Sequence, residues 1–380
     1  MRLLWVAPIE FGKTIHQVGE LGTAAALSRK SWEIDFLSIE WRGDSSAFLN
    51  KLGFGSHVVR RSTIPGLGGL SFNRSIKRAL PRIVQKGNYD AILVEWPGAL
   101  GVLRGLKKMN QLGIKCPPFL FEDRSPPASG TILGLLQWIH YDMSWKHVAR
   151  MADSIEVLVP GLESFVRNRF GDLPKMVHCP SGVDVNRFVP EFTKLESKIR
   201  VVYHGRLDSN RGLERIEEFG KRIIELGYDI EITIFGRGPL ARKFQKMSNR
   251  LNWLNFLGEV DFDEVPSIIA KNHLGILPLP DRLPWNVGSP LKLMEYASSG
   301  LPILATDVEG CIPFSEKDWV CLADNKDPIN QWCNFVSLIT ENPEKYKSMA
   351  KKARTDAEME LTWDHAVVDL DSELNRISVS

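Results

Sequence analysis

The sequence predicts an α/β protein built from two doubly wound parallel-sheet domains, and three observations carry that prediction. From Arg2 onward, short apolar runs alternate with segments of helical period, the order that lays helices on both faces of a parallel sheet. The alternation stops in a charged stretch, Glu191 to Lys198, and a second series begins at Arg200. At 380 residues, 43% hydrophobic and 25% charged, the chain has material for two cores. The expected boundaries are 1–190 for the first domain, 191–360 for the second and 361–380 for a terminal helix with Trp363.

Composition removes several classes of function. No apolar run approaches the roughly 18 residues that would cross a bilayer, and Met1 to Pro8 reads as a buried strand rather than a leader. Five scattered cysteines without a CxxC pair predict free thiols and a cytoplasmic setting. Eight histidines without HExxH or similar spacing predict no metal site. The net charge of +2 conceals an asymmetry. Through Pro180 there are 23 Lys and Arg against 15 Asp and Glu, a net of +8, and the remainder carries −6. Oppositely charged halves suit different partners, or reflect a chance imbalance of solvated charge.

In the first half, Arg2 to Ala7 and Glu33 to Ile39 read as strands around a helix from about His16 to Lys30. The intervening loop, Phe11-Gly12-Lys13-Thr14, does not match GxGxxG, which argues against a dinucleotide site of the oxidoreductase kind. Residues 56–87 are basic and punctuated by glycine, with a loop at Ile64 to Gly69. A helix bearing Arg74, Lys77, Arg78, Arg82 and Lys86 follows, with Ile76, Leu80 and Ile83 on its other face and Pro81 interrupting or kinking it. Such a helix can rest on anionic lipid, or simply cover the sheet. Ala91 to Glu95 and Phe119 to Glu122 are further strands. Asp123, at the carboxyl end of the second, is a candidate ligand contact, or a strand-end cap ion-paired to Arg124. Residues 131–152 are apolar and aromatic, and Ser154 to Val159 and Val177 to Cys179 complete the half.

The second half carries the chemistry. His204-Gly205-Arg206-Leu207 ends a strand, and Arg211-Gly212-Leu213 opens the next helix, placing two cations on one loop. Arginine forks on such a loop can bind phosphate oxygens in pairs. Glu231 to Phe235 leads into Gly236-Arg237-Gly238-Pro239, and Trp253 to Gly258 and Leu274 to Pro280 read as strands. Then comes Val287 to Gly310, VGSPLKLMEYASSGLPILATDVEG. Pro290 suits a first helical turn, and Gly300 a C-terminal cap. Ile303 to Thr306 is a short buried strand. Lys292 and Glu295 lie one turn apart on the helix, near an N-terminus that favours phosphate, with Ser289 just before it. The plain alternative is a surface Lys–Glu pair.

This stretch resembles the donor-binding segment of the family-4 glycosyltransferases, many of which carry an SPxKxxEYxAxGxP run. Pro180-Ser181-Gly182-Val183-Asp184 with Phe188 and Pro190 is similar to that family's P-N-G-V-D-x-x-x-F-x-P junction. The 205–213 stretch resembles its GRL-x-x-x-KG-L, with Arg211 for lysine. The resemblance spans nearly the whole chain and is strongest from Pro180 to Gly310. It implies the GT-B architecture, two Rossmann-like domains facing across a cleft. It further implies transfer of a sugar from a nucleotide-diphosphate donor to an acceptor hydroxyl with retention. Arg206 and Arg211 would hold the diphosphate, helped by Lys292, Ser289 and Pro290. Glu295 would bind the ribose, Gly236 and Gly258 would line the nucleotide side, and Asp123 would contact the acceptor. Val287 stands where many members have a second glutamate, near the transferred sugar. No cofactor beyond the donor and no metal are expected, and no nucleic acid partner. The acceptor would be a glycan or lipid-linked, at an anionic membrane surface on the cytoplasmic side. An epimerase or hydrolase of the same architecture, or a donor-binding subunit without activity, are the rival readings.

Overall fold

The computed structural model describes residues 1–379 except 13–16, 41–42, 65–66, 129–131 and 196, with backbone alone at 132–133. The expectations for Lys13, Thr14, His16, Pro65, Gly66 and Thr131 therefore lie outside the described residues. The chain divides into two compact units, residues 1–180 with 366–380, and residues 181–365.

In the first unit the elements are β1 (Arg2–Val6), α1 (Val18–Arg29), β2 (Glu33–Ile39), α2 (Ser45–Lys51), β3 (Gly55–Val59), α3 (Gly68–Gly87) and β4 (Ala91–Glu95). They continue with α4 (Trp96–Gln111), β5 (Phe119–Asp123), α5 (Ile132–His147), β6 (Ser154–Val157), α6 (Pro160–Phe170) and β7 (Met176–His178). The seven strands are parallel and ordered β3-β2-β1-β4-β5-β6-β7. Every residue of β4 and β5 is buried, as strands covered on both faces require.

Helix α3 shows how sequence sets the packing. Phe72, Ile76, Leu80 and Val84 recur every four residues and are buried, while Arg74, Lys77, Arg78, Arg82 and Lys86 face solvent. Each fully buried side chain of this size contributes about 1.5–3 kcal/mol. The partner helix α4 presents Gly98, Gly101 and Gly105 to it. A Cβ at Gly101 would come within 2.7 Å of the Asn73 carbonyl oxygen, and one at Gly105 within 2.7 Å of Leu80. Asn73 is locked in the seam, donating to the carbonyls of Gly69 and Pro97 at 2.7 Å each. The helix runs through Pro81 without interruption, and Gly68 and Gly69 belong to its first turn rather than to a loop.

The second unit holds β8 (Lys198–His204), α7 (Glu214–Glu225), β9 (Asp229–Phe235), α8 (Ala241–Ser248), β10 (Leu254–Gly258), α9 (Val265–Ala270), β11 (Leu274–Leu277) and α10 (Leu291–Ser298). It ends with β12 (Ile303–Thr306), β13 (Val320–Ala323), α11 (Pro328–Glu341), α12 (Pro343–Glu360) and α13 (Trp363–Ala366). Its six parallel strands are ordered β10-β9-β8-β11-β12-β13. The last helix, α14 (Val368–Ser378), packs on β4, β6 and β7 and so belongs to the first unit.

The boundary falls at Ser181 rather than at 191. Val183 pairs with Thr362, a Cβ on Gly182 would meet the Trp363 backbone at 2.5 Å, and Ser181 N–H donates to Ser289 Oγ at 2.8 Å. The segment 181–190 is thus tied to the second unit. Within that unit the strand order reverses between β8 and β11, and the carboxyl ends at such a point are where open α/β sheets bind ligands.

Candidate functional site

Four loops meet at the β8/β11 end of the second unit, and they meet backbone to backbone. A Cβ on Gly236 would lie 1.9 Å from the Gly205 carbonyl oxygen, one on Gly212 1.9 Å from that of Pro278, and one on Gly310 1.9 Å from that of Gly288. Gly236 and Gly212 also have positive φ (134° and 70°), so glycine is required there twice over. Gly236 N–H donates to the Gly258 carbonyl at 2.7 Å, joining the β9 and β10 ends to the same floor.

On this floor stand three cations. Arg206 grips Asp208 through both its Nε (3.1 Å) and Nη2 (3.2 Å). Arg211 reaches the same carboxylate at 3.6 Å, and its guanidinium lies 4.0 Å from the Trp285 ring centroid. The Arg211 Nε is buried without a hydrogen-bond partner, and burial lowers the guanidinium from its ordinary value. Lys292, in the first turn of α10, has no carboxylate within ion-pair distance among the described residues. Burial, then the positive field of Arg211, pulls its ammonium down to about 8 against the opposing pull of Glu295. Asp208 thus serves two of the three cations. The three cations outnumber the one carboxylate paired with them, a surplus of positive charge that an anion would complete.

Helix α10 begins beside them. Pro290 is its N-cap rather than its first turn, and no side chain caps the N-terminus. Its first-turn N–H groups and dipole add to the same positive field. Ser289 is held by Ser181, accepting from its N–H through Oγ and from its hydroxyl through the carbonyl (3.4 Å). Glu295, one turn into the helix, is nearly buried. Its Oε2 lies 2.8 Å from His204 Nε2, and His204 Nδ1 lies 3.1 Å from the buried Tyr296 hydroxyl. The site residues expected in this unit are therefore brought together: Arg206, Arg211, Lys292, Glu295, Ser289, Pro290, Gly236 and Gly258. Asp208, Trp285, His204 and Tyr296 are additions. His204 and Arg206 are neighbours in sequence, but the contacts of His204 are 91 and 92 residues away and leave no local signal. Val287 is 4% exposed, in a single turn of 3₁₀ helix before α10.

In the first unit the expectation for Asp123 is corrected. Its side chain is fully buried, with Oδ2 accepting from Tyr141 Oη (2.6 Å) and Trp145 Nε1 (3.1 Å) and Oδ1 from Ser125 N–H (3.1 Å). A carboxylate so enclosed has no face for an acceptor. Nor does Asp123 pair with Arg124, which bridges Glu122 (2.8 Å) and Glu20 (3.5 Å). Around that arginine four glutamates are buried: Glu20, Glu95, Glu122 and Glu156. Burial, outweighing Arg124, raises Glu20 to about 7, and pushes Glu95 and Glu156 well above the carboxylate range. An open depression of about 680 Å³ beside α8, lined by Arg242, Lys246 and Arg250 among others, shares no residue with the loops above.

Residues 198–341 match the family described as Glycosyl transferases group 1. Over 213 residues the chain is 21% identical to a GDP-mannose-dependent monoacylated alpha-(1-6)-phosphatidylinositol monomannoside mannosyltransferase of Corynebacterium glutamicum, covering 52% of this chain and 55% of that one. Over 198 residues it is 26% identical to a UDP-Gal:alpha-D-GlcNAc-diphosphoundecaprenol alpha-1,3-galactosyltransferase of Escherichia coli, covering 47% and 49%. The matches thus span about half the length of these curated relatives. Among solved structures it superposes on a sucrose-phosphate synthase of Thermosynechococcus elongatus with a TM-score of 0.73 at 14% identity, covering 100% of this chain and 99% of that one. Residues 198–341 therefore belong to the group 1 glycosyl transferases, and the chain carries the two-sheet fold of the GT-B enzymes.

Proposed function

We propose that this protein transfers a sugar from a nucleotide-diphosphate donor to an acceptor hydroxyl. The observation that carries the proposal is the pair Arg206 and Arg211 sharing Asp208, together with Lys292 in the first turn of a helix whose N-terminus no side chain caps. As the bond between the anomeric carbon and the diphosphate oxygen breaks, negative charge builds on the leaving group. Fixed cations in a partly desolvated site stabilise that charge more in the transition state than in the ground state. Glu295 is proposed to accept from the ribose diol, with Gly236 and Gly258 in the backbone floor, and retention follows from the family resemblance. The cations supply the neutralisation, so the reaction is proposed to run without a metal and with no cofactor beyond the donor.

The partner on the acceptor side is proposed to be a glycan or a lipid-linked glycan at an anionic membrane surface, met peripherally from the cytoplasm. No described helix is long and apolar enough to cross a membrane. What supports docking is a composite face of the first unit. The basic side of α3 is exposed, and Leu135, Leu136, Ile139 and Met143 of α5 are exposed as well (63%, 50%, 57% and 39%). Asn73 of α3 and His140 of α5 meet at 3.2 Å, and both helices pack on α4. Both named relatives have lipid-bearing acceptors in their descriptions.

The test is product analysis with UDP- and GDP-sugars, with and without chelator, after a thermal-shift screen for the donor that stabilises the protein. Transfer that persists in chelator is the expected result. Isomerised or hydrolysed donor would favour the epimerase or hydrolase reading, and stabilisation without turnover a donor-binding subunit.

A further inference from the structure

The contacts of His204 form a chain with a defined direction. Its backbone N–H points to the Tyr296 hydroxyl (3.3 Å), and its ring stacks on Phe235 with centroids 5.5 Å apart at 27°. The ring plane is therefore fixed from one side by stacking and from its edge by the phenol. Burial pushes Tyr296 well above its ordinary value, so the phenol keeps its proton. The Tyr296 oxygen accepts from the backbone N–H and has one proton to give, and Nδ1 of His204, 3.1 Å away, receives it. With Nδ1 accepting, the ring proton sits on Nε2 and is donated to Glu295 Oε2 at 2.8 Å. Oε1 of Glu295 takes no hydrogen bond from the described residues and is not sealed from solvent.

We infer that His204 is a positioning residue for Glu295: the Tyr296–His204 pair holds one carboxylate oxygen inward and presents the other to the ribose diol of the donor. The inference rests on the reading that Glu295 binds that ribose. A glutamate on a helix has three rotatable bonds, and a single strong bond to a fixed imidazole removes most of that freedom before the ligand arrives. The benefit falls on one hydrogen-bonding interaction, not on the fold and not on the diphosphate. The predicted signature is therefore a loss of discrimination between ribose and deoxyribose, rather than a general loss of nucleotide binding.

The experiment is calorimetric titration of the full chain with UDP and GDP, each against its 2′,3′-dideoxy analogue. Wild type is expected to prefer the ribonucleotide by roughly tenfold, the scale of one charge-assisted hydrogen bond. In His204→Phe most of that preference should vanish, while the dideoxy analogue binds as it does to wild type. His204→Gln, whose amide can reach the Nε2 position and donate, should restore much of it. Tyr296→Phe, which keeps the ring and removes the proton donor, should lose part, and stands in if His204→Phe fails to fold. Wild type with no preference, or with no affinity for either nucleotide, overturns the ribose assignment of Glu295 and this inference with it. A wild-type preference that survives intact in the His204 and Tyr296 variants overturns the positioning role alone.

Discussion

At the scale of single residues, the three cations do different work because their surroundings differ. Arg206 is half-exposed and already paired on both nitrogens with Asp208, whereas Arg211 is pressed between that aspartate and Trp285. Replacing either by Ala should lower kcat and kcat/KM together, by about 10- to 100-fold, the range of one charge-assisted bond at about 1.5–3 kcal/mol. A rise in KM alone, measured by steady-state kinetics, would restrict them to holding the ground state. Lys292 titrates near 8 in the free protein, so its charge is present below that pH and lost above it. The pH profile of kcat/KM, which reports the free enzyme, should therefore fall on the alkaline side of about 8. Lys292→Arg should move that limb up by more than one pH unit, since a guanidinium keeps its charge there. An unmoved limb would assign the titration to another group.

At the scale of elements, the buried carboxylates at the β4, β5 and β6 ends set a stability prediction. Glu20 holds its proton up to about 7 when folded and only to about 4.5 when unfolded. The folded state thus binds more protons across that window. The contribution of Glu20 is fully present below pH 4.5 and is lost as pH rises towards 7, by on the order of 3 kcal/mol. His57 and His140, whose burial lowers them, give a slope of the opposite sign. Glu373, held down to about 2 by Arg376, acts only below pH 4.5. The difference between Glu20→Gln and wild type isolates the effect. In urea unfolding, the variant should gain on wild type as pH rises from 4.5 to 7. Arg124→Met should cost about 3–5 kcal/mol by removing the cluster's cation. These same elements show where sequence speaks clearly. Strands β2, β4 and β12 stand at the residues their apolar runs predict, because central parallel strands must be apolar on both faces. Strand β3 (GSHVV) is an edge, half-exposed and mostly polar, so it leaves no run to find. Residues 324–360, which form α11 and α12, gave no expectation either. Asp123 misleads for a related reason. A charged strand end reads the same whether it faces a ligand or is sealed by Tyr141 and Trp145, 18 and 22 residues later. Arg206, Arg211, Lys292 and Glu295 were legible because their spacing is local. The His204–Glu295 contact is made only by the fold.

At the scale of the whole molecule, charge is unevenly divided. With α14 included, the first unit carries 24 basic and 18 acidic residues, a net of +6, and the second unit carries −4. The acidic α14 thus moderates the +8 counted to Pro180. If the α3–α5 face meets anionic lipid, each basic residue near the surface contributes about 1 kcal/mol, screened over a Debye length of about 8 Å at physiological salt. Sedimentation with phosphatidylserine vesicles should show binding at low salt that weakens steeply as salt rises. It should diminish when Arg74, Lys77 and Arg78 are made neutral, and when Leu135 and Ile139 are made polar. Absence of binding even at low salt would point to a soluble acceptor.

The contact of main chain with main chain beneath the cations has a consequence for how this protein can change. Where Gly236, Gly212 and Gly310 each lie against a carbonyl oxygen, no side chain of any kind can be accommodated, so the floor cannot be retuned by substitution. If the protein is the transferase proposed, variation in the sugar accepted must come from side chains rather than this floor, and the short turn of Trp285, Asn286 and Val287 before α10 is the nearest place to seek it. A laboratory library confined to those three positions should yield folded proteins of altered donor choice, while one that touches the glycines should yield mostly insoluble chains. Innovation here has a narrow doorway, set by how closely the backbones touch.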